Sequence, residues 1–198
     1  MFKKTALAGL LALPSLASAQ GIYFIAGAAN GSVDLGDIEA TYAPPYASDD
    51  DLTRAVIGLG ASVNPYLAFE GVYLSEVENS VKDSSFEDTL EHSGLQLAVL
   101  GKVPVTAQFN VFGKLSANYI ATNYHFQDTP LTQIYDEDKT GAYLGFGAGI
   151  SFQANDTVGL RLQAERIFIK DVTIVGMFGP ESADFAVDQV NLGLTFSF

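Results

Sequence analysis

The last nine residues, Val190-Asn191-Leu192-Gly193-Leu194-Thr195-Phe196-Ser197-Phe198, alternate without a break. Val190, Leu192, Leu194, Phe196 and Phe198 are apolar, and every residue between them is polar or small. Successive side chains of a β-strand point to opposite faces, so a strand here has one apolar and one polar face. The pattern recurs upstream. Residues 141–152 set Ala142, Leu144, Phe146, Ala148, Ile150 and Phe152 against Tyr143, four glycines and Ser151. Residues 157–168 set Val158, Leu160, Leu162 and Ala164 against Gly159, Arg161, Gln163 and Glu165. Residues 108–122 set Phe109, Val111, Leu115, Ala117 and Tyr119 against Gln108, Asn110, Phe112, Lys114, Ser116 and Asn118. Contrast is weaker over 52–63, 66–77 and 92–103, and residues 21–33 read as a strand whose faces cannot be assigned.

These eight segments are too long for sandwich strands, which average ~5–6 residues. They suit a tilted crossing of a bilayer, which takes ~9–11. The connections alternate in length. Short ones fall at Asn64-Pro65, around 103–106 and at 153–156; long ones fall at 34–51, 76–91, 123–139 and 170–184. Tight turns at one rim and long loops at the other are the mark of an up-and-down barrel. The expected fold is all-β: an eight-stranded antiparallel up-and-down transmembrane β-barrel whose last strand pairs with its first. A soluble lipocalin-like barrel also has eight strands, with apolar residues inside and polar ones outside. Charges on the polar face, acids crowded into one set of loops and an aromatic last residue favour the membrane form. Tyr23, Tyr66, Phe152, Phe196 and Phe198 fall near the short-turn rim, and Tyr119, Tyr143, Phe168 and Phe185 near the other, as interfacial aromatic belts would.

Lys3 and Lys4 precede an apolar run over 6–16, and Ala17-Ser18-Ala19 follows. This is the layout of a cleaved signal peptide over residues 1–19, leaving the barrel domain at 20–198; an uncleaved N-terminal anchor is the alternative. Without the two leader lysines, 8 basic residues face 23 acidic ones, a charge of −15. That sign argues against nucleic acid, which demands a basic footprint. An exported chain with no cysteine has no disulfide framework and no thiolate metal site.

The leader, the alternating strands and the closing Val190 to Phe198 segment together resemble the OmpA-like small outer-membrane β-barrel family. Gly145-Phe146-Gly147-Ala148-Gly149 followed by Leu160-Arg161-Leu162-Gln163-Ala164-Glu165 resembles the penultimate hairpin of that group. The resemblance implies the outer membrane of a Gram-negative cell, with outer-membrane lipid and lipopolysaccharide as surroundings. It also implies that Val190, Leu192, Leu194, Phe196 and Phe198 form the signal read by the barrel assembly machinery. The chain stops at the barrel, so no cell-wall tether is expected.

With the parities above, Arg54, Glu70, Lys102, Lys114, Arg161 and Glu165 face the lumen. An eight-stranded barrel is just wide enough for side chains to fill, and buried charges must pair. A Glu70–Arg161 salt bridge is therefore expected, either as structural filling or as a gate. The runs Asp49-Asp50-Asp51 and Asp136-Glu137-Asp138 sit in long loops and lack the spacing of an EF-hand, so they read as solvated faces rather than as a metal site. Residues 172–178 are apolar for an external loop, and read as barrel strand continued beyond the membrane or as an adhesive patch. His92 and Ser93 are adjacent and point to opposite faces, and no nucleophile–base arrangement is visible. No enzyme activity and no cofactor are expected. The leading expectation is a structural barrel serving envelope integrity, with a charged interior that could form a minor narrow pore. The alternative is a surface adhesin or immune-evasion barrel acting through its loops, with its host partner unspecified.

Overall fold

The computed structural model describes residues 21–34, 52–82, 86–128, 133–176 and 179–198. The expected leader over 1–19 and the Asp49-Asp50-Asp51 run lie outside the described residues. Eight strands follow in order: β1 (Gly21–Asp34), β2 (Leu52–Asn64), β3 (Leu67–Lys82), β4 (Phe86–Pro104), β5 (Phe109–Asp128), β6 (Gln133–Gln153), β7 (Val158–Gly176) and β8 (Gly179–Ser197). Each pairs antiparallel with its neighbours in sequence, and the sheet closes as β1-β2-β3-β4-β5-β6-β7-β8. Closure is made by β8 on β1, from Tyr23↔Ser197 to Asp34↔Ala186.

Sidedness follows from exposure. Leu97, Leu115, Leu144 and Leu192 are among the most exposed apolar side chains, whereas Glu70, Lys114 and Glu165 are each 4% exposed. The barrel is apolar outside and polar inside, which removes the lipocalin-like alternative. The outward set includes Val190, Leu192, Leu194 and Phe198. In β1, Ile25 and Ala29 are buried and Ile22 is exposed, so the inward parity is that of Tyr23 and Ile25.

The short turns are closed by side chains that mimic backbone partners. Asn64 Oδ1 accepts from the Tyr66 N–H at 2.7 Å. Thr106 Oγ1 accepts from the Gln108 and Phe109 N–H groups at 3.2 and 3.0 Å. Asn155 Oδ1 accepts from Thr157 and Val158 at 2.9 and 2.8 Å.

The far ends of the strands differ from expectation. Pairing runs to Lys82↔Glu87 between β3 and β4, to Asp128↔Gln133 between β5 and β6, and to Gly176↔Gly179 between β7 and β8. Much of what reads as loop over 76–91, 123–139 and 170–184 is paired strand. Asp136-Glu137-Asp138 therefore lies on β6, not in a loop. Residues 172–176 continue β7, and residues 177 and 178 lie outside the described residues.

Candidate functional site in the barrel lumen

The inward polar residues of β3, β4, β5 and β7 meet at the centre of the lumen. Arg161 Nη1 of β7 donates to Glu70 Oε1 of β3. These strands stand four apart in the closed order, so the pair crosses the full width of the barrel. Tyr23 Oη donates to the same Glu70 oxygen at 2.6 Å. The Arg161 guanidinium also lies 4.4 Å from the centroid of the Phe112 ring, a cation–π contact that covers one of its faces. A second pair joins β5 to β7, with Lys114 Nζ 2.9 Å from Glu165 Oε2.

Glu165 is the hub of the interior. Its Oε1 accepts from Gln96 Nε2 at 2.8 Å and from Ser116 Oγ at 2.7 Å. Gln96 in turn donates to Asn118 Oδ1 at 2.6 Å and accepts from Lys114 Nζ. Asn118 Nδ2 donates to Ser116 Oγ at 3.0 Å. Charges taken out of water are tolerated when paired, and Glu70, Arg161, Lys114 and Glu165 are each paired, while Arg161 Nε and Nη2 are buried without a hydrogen-bond partner among the described residues. Glycines of β6 make the room. A Cβ at Gly149 would lie 2.5 Å from Phe112 Cζ, and one at Gly145 would lie 2.7 Å from Ser116 Oγ.

Of the remaining expected lumen charges, Arg54 is 4% exposed inside the barrel. Lys102 Nζ donates to Ser62 Oγ at 2.9 Å nearer the short-turn rim. Gln96, Ser116, Asn118, Gln189 and Tyr23 belong to the site without having been singled out. The first four could have been found from parity alone, since Gln96, Ser116 and Asn118 share the inward face of a named charge and Gln189 lies on the polar face of β8. Tyr23 and Tyr143 require correction. They do not stand in the outer aromatic belts: Tyr23 binds Glu70, and Tyr143 packs against an inner apolar cluster. The side chain of Phe185 lies outside the described residues. His92 is buried on the inner face and its Nε2 has no hydrogen-bond partner, and Ser93 takes the opposite parity.

Apolar clusters flank the network. Towards the far end, Val77, Ile120, Ile167, Ile169 and Val187 pack together from four strands, with Tyr143 from a fifth. They lie beyond the network along each strand: Ile167 follows Glu165, and Ile120 follows Asn118. Towards the short turns, Ala68, Ala98, Leu100 and Phe112 form a second cluster. Between them is a cavity of about 30 Å³ beside Arg161, Gln163, Gln189 and Asn191. Among the described residues, no group of three or more His, Asp or Glu side chains is placed to hold a metal ion.

Comparison with known proteins agrees with this architecture. The fold is similar to the attachment invasion locus protein Ail of Yersinia pestis, with 13% identity, a TM-score of 0.58, and 90% of this chain and 98% of that one covered. It is similar to Neisserial surface protein A, with 16% identity, a TM-score of 0.57, and 89% and 97% covered. The outer membrane protein OprG of Pseudomonas aeruginosa gives 14% identity, a TM-score of 0.50, and 92% and 98% covered. At such identities the likeness carries the fold alone. No curated protein matches the chain in sequence. The profile of the outer membrane protein beta-barrel domain matches residues 5–198, nearly the whole chain. A closed barrel with an apolar wall, a polar lumen and that profile places the chain in the outer membrane protein beta-barrel family, whose members reside in the outer membrane.

Proposed function

We propose that this barrel serves envelope integrity as a structural element of the outer membrane, with a lumen closed to solutes at rest. The carrying observation is the Arg161–Glu70 pair, which crosses the lumen between opposite strands while Lys114, Gln96 and Glu165 fill the space beside it. A filled interior is the usual outcome for eight strands. The test is single-channel recording in planar bilayers, paired with detergent sensitivity of cells that lack the protein. Silence with increased sensitivity supports the reading. Steady conductance from the unaltered protein would assign it to a pore instead.

A second reading, surface recognition through the extracellular part, has an observation of its own. The outward apolar residues of β6 end with Leu144 and Ala142, yet β6 stays paired with β5 as far as Gln133. Pairing between β3 and β4 likewise outruns the exposed Tyr73 and Leu97. Sheet that rises beyond the lipid is surplus to anchoring and available for contact.

A further inference from the structure

Lys114 carries a primary amine into the centre of the lumen, and Gln96 beside it is 1% exposed. The Lys114 amine donates to Gln96 Oε1 and, at 2.9 Å, to Glu165 Oε2. Glu165 reaches the amide as well, since its Oε1 accepts from Gln96 Nε2 at 2.8 Å. The three side chains thus close a ring of hydrogen bonds: amine to amide oxygen, amide nitrogen to carboxylate, carboxylate back to amine. An ion pair alone needs only Lys114 and Glu165. The ring adds an acyl group, its nitrogen leaving group and one carboxylate touching both nitrogens. A nucleophile within reach of a base that a third group orients is the arrangement of acyl transfer. Here Ser116 Oγ, 2.7 Å from Glu165 Oε1, is the orienting group.

The backbone builds this ring. Lys114↔Gly147 and Gly147↔Glu165 are register partners, so Lys114 and Glu165 flank a glycine on one row across β5, β6 and β7. A Cβ at Gly147 would lie 2.6 Å from Ala164 O and 3.2 Å from Glu165 Cβ, so glycine keeps that row open. Gln96 faces Asn118 on β5 and donates to its Oδ1 at 2.6 Å, which holds the amide in place. The carbonyl carbon of Gln96 lies one C=O bond, ~1.23 Å, beyond the oxygen that the amine touches. Contact held at this range supplies much of what a bimolecular reaction lacks. The ring also borders the cavity of about 30 Å³, and ~10–15 Å³ suffices for a molecule the size of water. Gln163 Oε1, Gln189 Oε1 and Asn191 Oδ1 have no hydrogen-bond partner among the described residues, and their side chains line that cavity. A small leaving molecule rich in N–H donors suits such a lining.

We propose that the folded barrel joins Lys114 to Gln96 by an isopeptide bond, with Glu165 moving the protons and ammonia leaving. The Lys114 ammonium passes one proton to Glu165 Oε2, which leaves a neutral amine and a carboxylic acid. The amine attacks Gln96 Cδ, the Nζ–Cδ bond forms, and the carbonyl electron pair moves to Oε1. Glu165 gives its proton to Nε2 and takes a second proton from Nζ. The carbonyl re-forms, the Cδ–Nε2 bond breaks, and neutral ammonia departs. Nothing is oxidised or reduced, and no co-reactant is consumed. Glu165 ends protonated, so the ion pair gives way to neutral groups, whose burial costs less than that of charges. The bond ties β4 to β5 and keeps the lumen filled without that ion pair.

The test is a peptide map of the full barrel, refolded from urea into lipid vesicles and sampled with time. Trypsin cuts after Lys102 and Lys114 in the unlinked chain, whereas the bond blocks cleavage at Lys114 and joins residues 83–102 to residues 103–139. That branched peptide should accumulate in the folded protein, lighter by about 17 Da, the mass of the ammonia lost on acyl transfer. Fragmentation should place the bond between Lys114 and Gln96. The map keeps this loss apart from cyclisation of an N-terminal Gln20, which removes the same mass. Glu165→Gln should slow bond formation by roughly 100-fold, the scale of general acid–base help. The milder Ser116→Ala, which loosens Glu165 without removing it, should slow it several-fold. Both variants are read on protein that migrates as a heat-modifiable barrel, and should Glu165→Gln not fold, the parent map and Ser116→Ala decide. No branched peptide in the folded parent, equal formation in urea, a Lys114 bond to Glu165 with loss of water instead, or the parent rate in either folded variant each overturns the proposal.

Discussion

Lys114, Arg161 and Glu165 were legible from parity, because a strand that alternates cleanly assigns each side chain to a face, whereas Arg54, Glu70 and Lys102 lie on segments of weaker contrast. Arg161 and Glu165 share one face of β7 with Gln163, and Lys114 shares one face of β5 with Ser116 and Asn118. Tyr23 was not legible, because both faces of β1 are apolar and no alternation marks the inside. The Glu70–Arg161 pair yields the first prediction. Arg161→Met strands Glu70 in the lumen with Tyr23 as its remaining donor among the described residues, and breaking a buried pair from one side costs ~3–5 kcal/mol. The double variant Arg161→Met/Glu70→Gln should regain most of that loss, since an apolar or neutral replacement of a whole buried pair is often tolerated. Urea midpoints in lipid vesicles measure both, and equal midpoints for single and double variants would refute the coupling. A second prediction concerns Gly149. Its Cβ would press on Phe112 Cζ at 2.5 Å, and Phe112 carries the Arg161 guanidinium. Gly149→Val should therefore lower stability by about 1–3 kcal/mol, the usual cost of overpacking, whereas Gly113→Val on the outer face meets nothing within 4 Å and should stay near neutral.

Strand β8 and the far ends of the other strands show where element-level reading succeeds and fails. Within the lipid, one face meets hydrocarbon and the other a polar interior, so period two is enforced on β5 to β8. Beyond the lipid both faces meet water or protein, so nothing demands alternation. Asp136, Glu137 and Asp138 then look like a loop, though their backbone continues the β5–β6 ladder from Asp128↔Gln133 inward. Composition marks the chemical surroundings of a segment, and hydrogen bonding decides its shape. The end of β8 separates delivery from stability. Phe198 is 86% exposed and is tied to the barrel by one main-chain bond, its N–H donating to Ile22 O at 3.1 Å. Phe198→Ala keeps that bond and removes no buried packing, so the urea midpoint of the assembled barrel should be unchanged within ~0.5 kcal/mol. If the terminal aromatic is read during assembly, as the family resemblance implies, the same variant should reach the outer membrane several-fold more slowly in a pulse-chase of heat-modifiable protein. Normal assembly kinetics would remove Phe198 from that role.

At the scale of the whole molecule, a closed sheet with one wet and one greasy face leaves the lumen as the decisive volume. Its contents are layered: an apolar cluster from five strands lies towards the ends away from the short turns, and a charge network lies beneath it. On the proposed reading, two of the lumen's layers stand in series against ions. Water avoids a narrow apolar constriction, and the pairs beneath close the width of the barrel. Removing one obstacle should not suffice. Ile120→Ser/Ile167→Ser hydrates the upper layer, but leaves Arg161 on Glu70 and Lys114 on Glu165. Glu70→Gln/Arg161→Met loosens the centre, but leaves the apolar lid. Each double variant should remain as silent as the parent in planar bilayers, while the combined quadruple variant should show resolvable steps. Channel activity in the serine variant alone would locate the barrier in the apolar lid. A silent quadruple variant that still migrates as a folded, heat-modifiable barrel would show that packing of Phe112, Leu100 and Ala98 nearer the periplasm closes the lumen by itself.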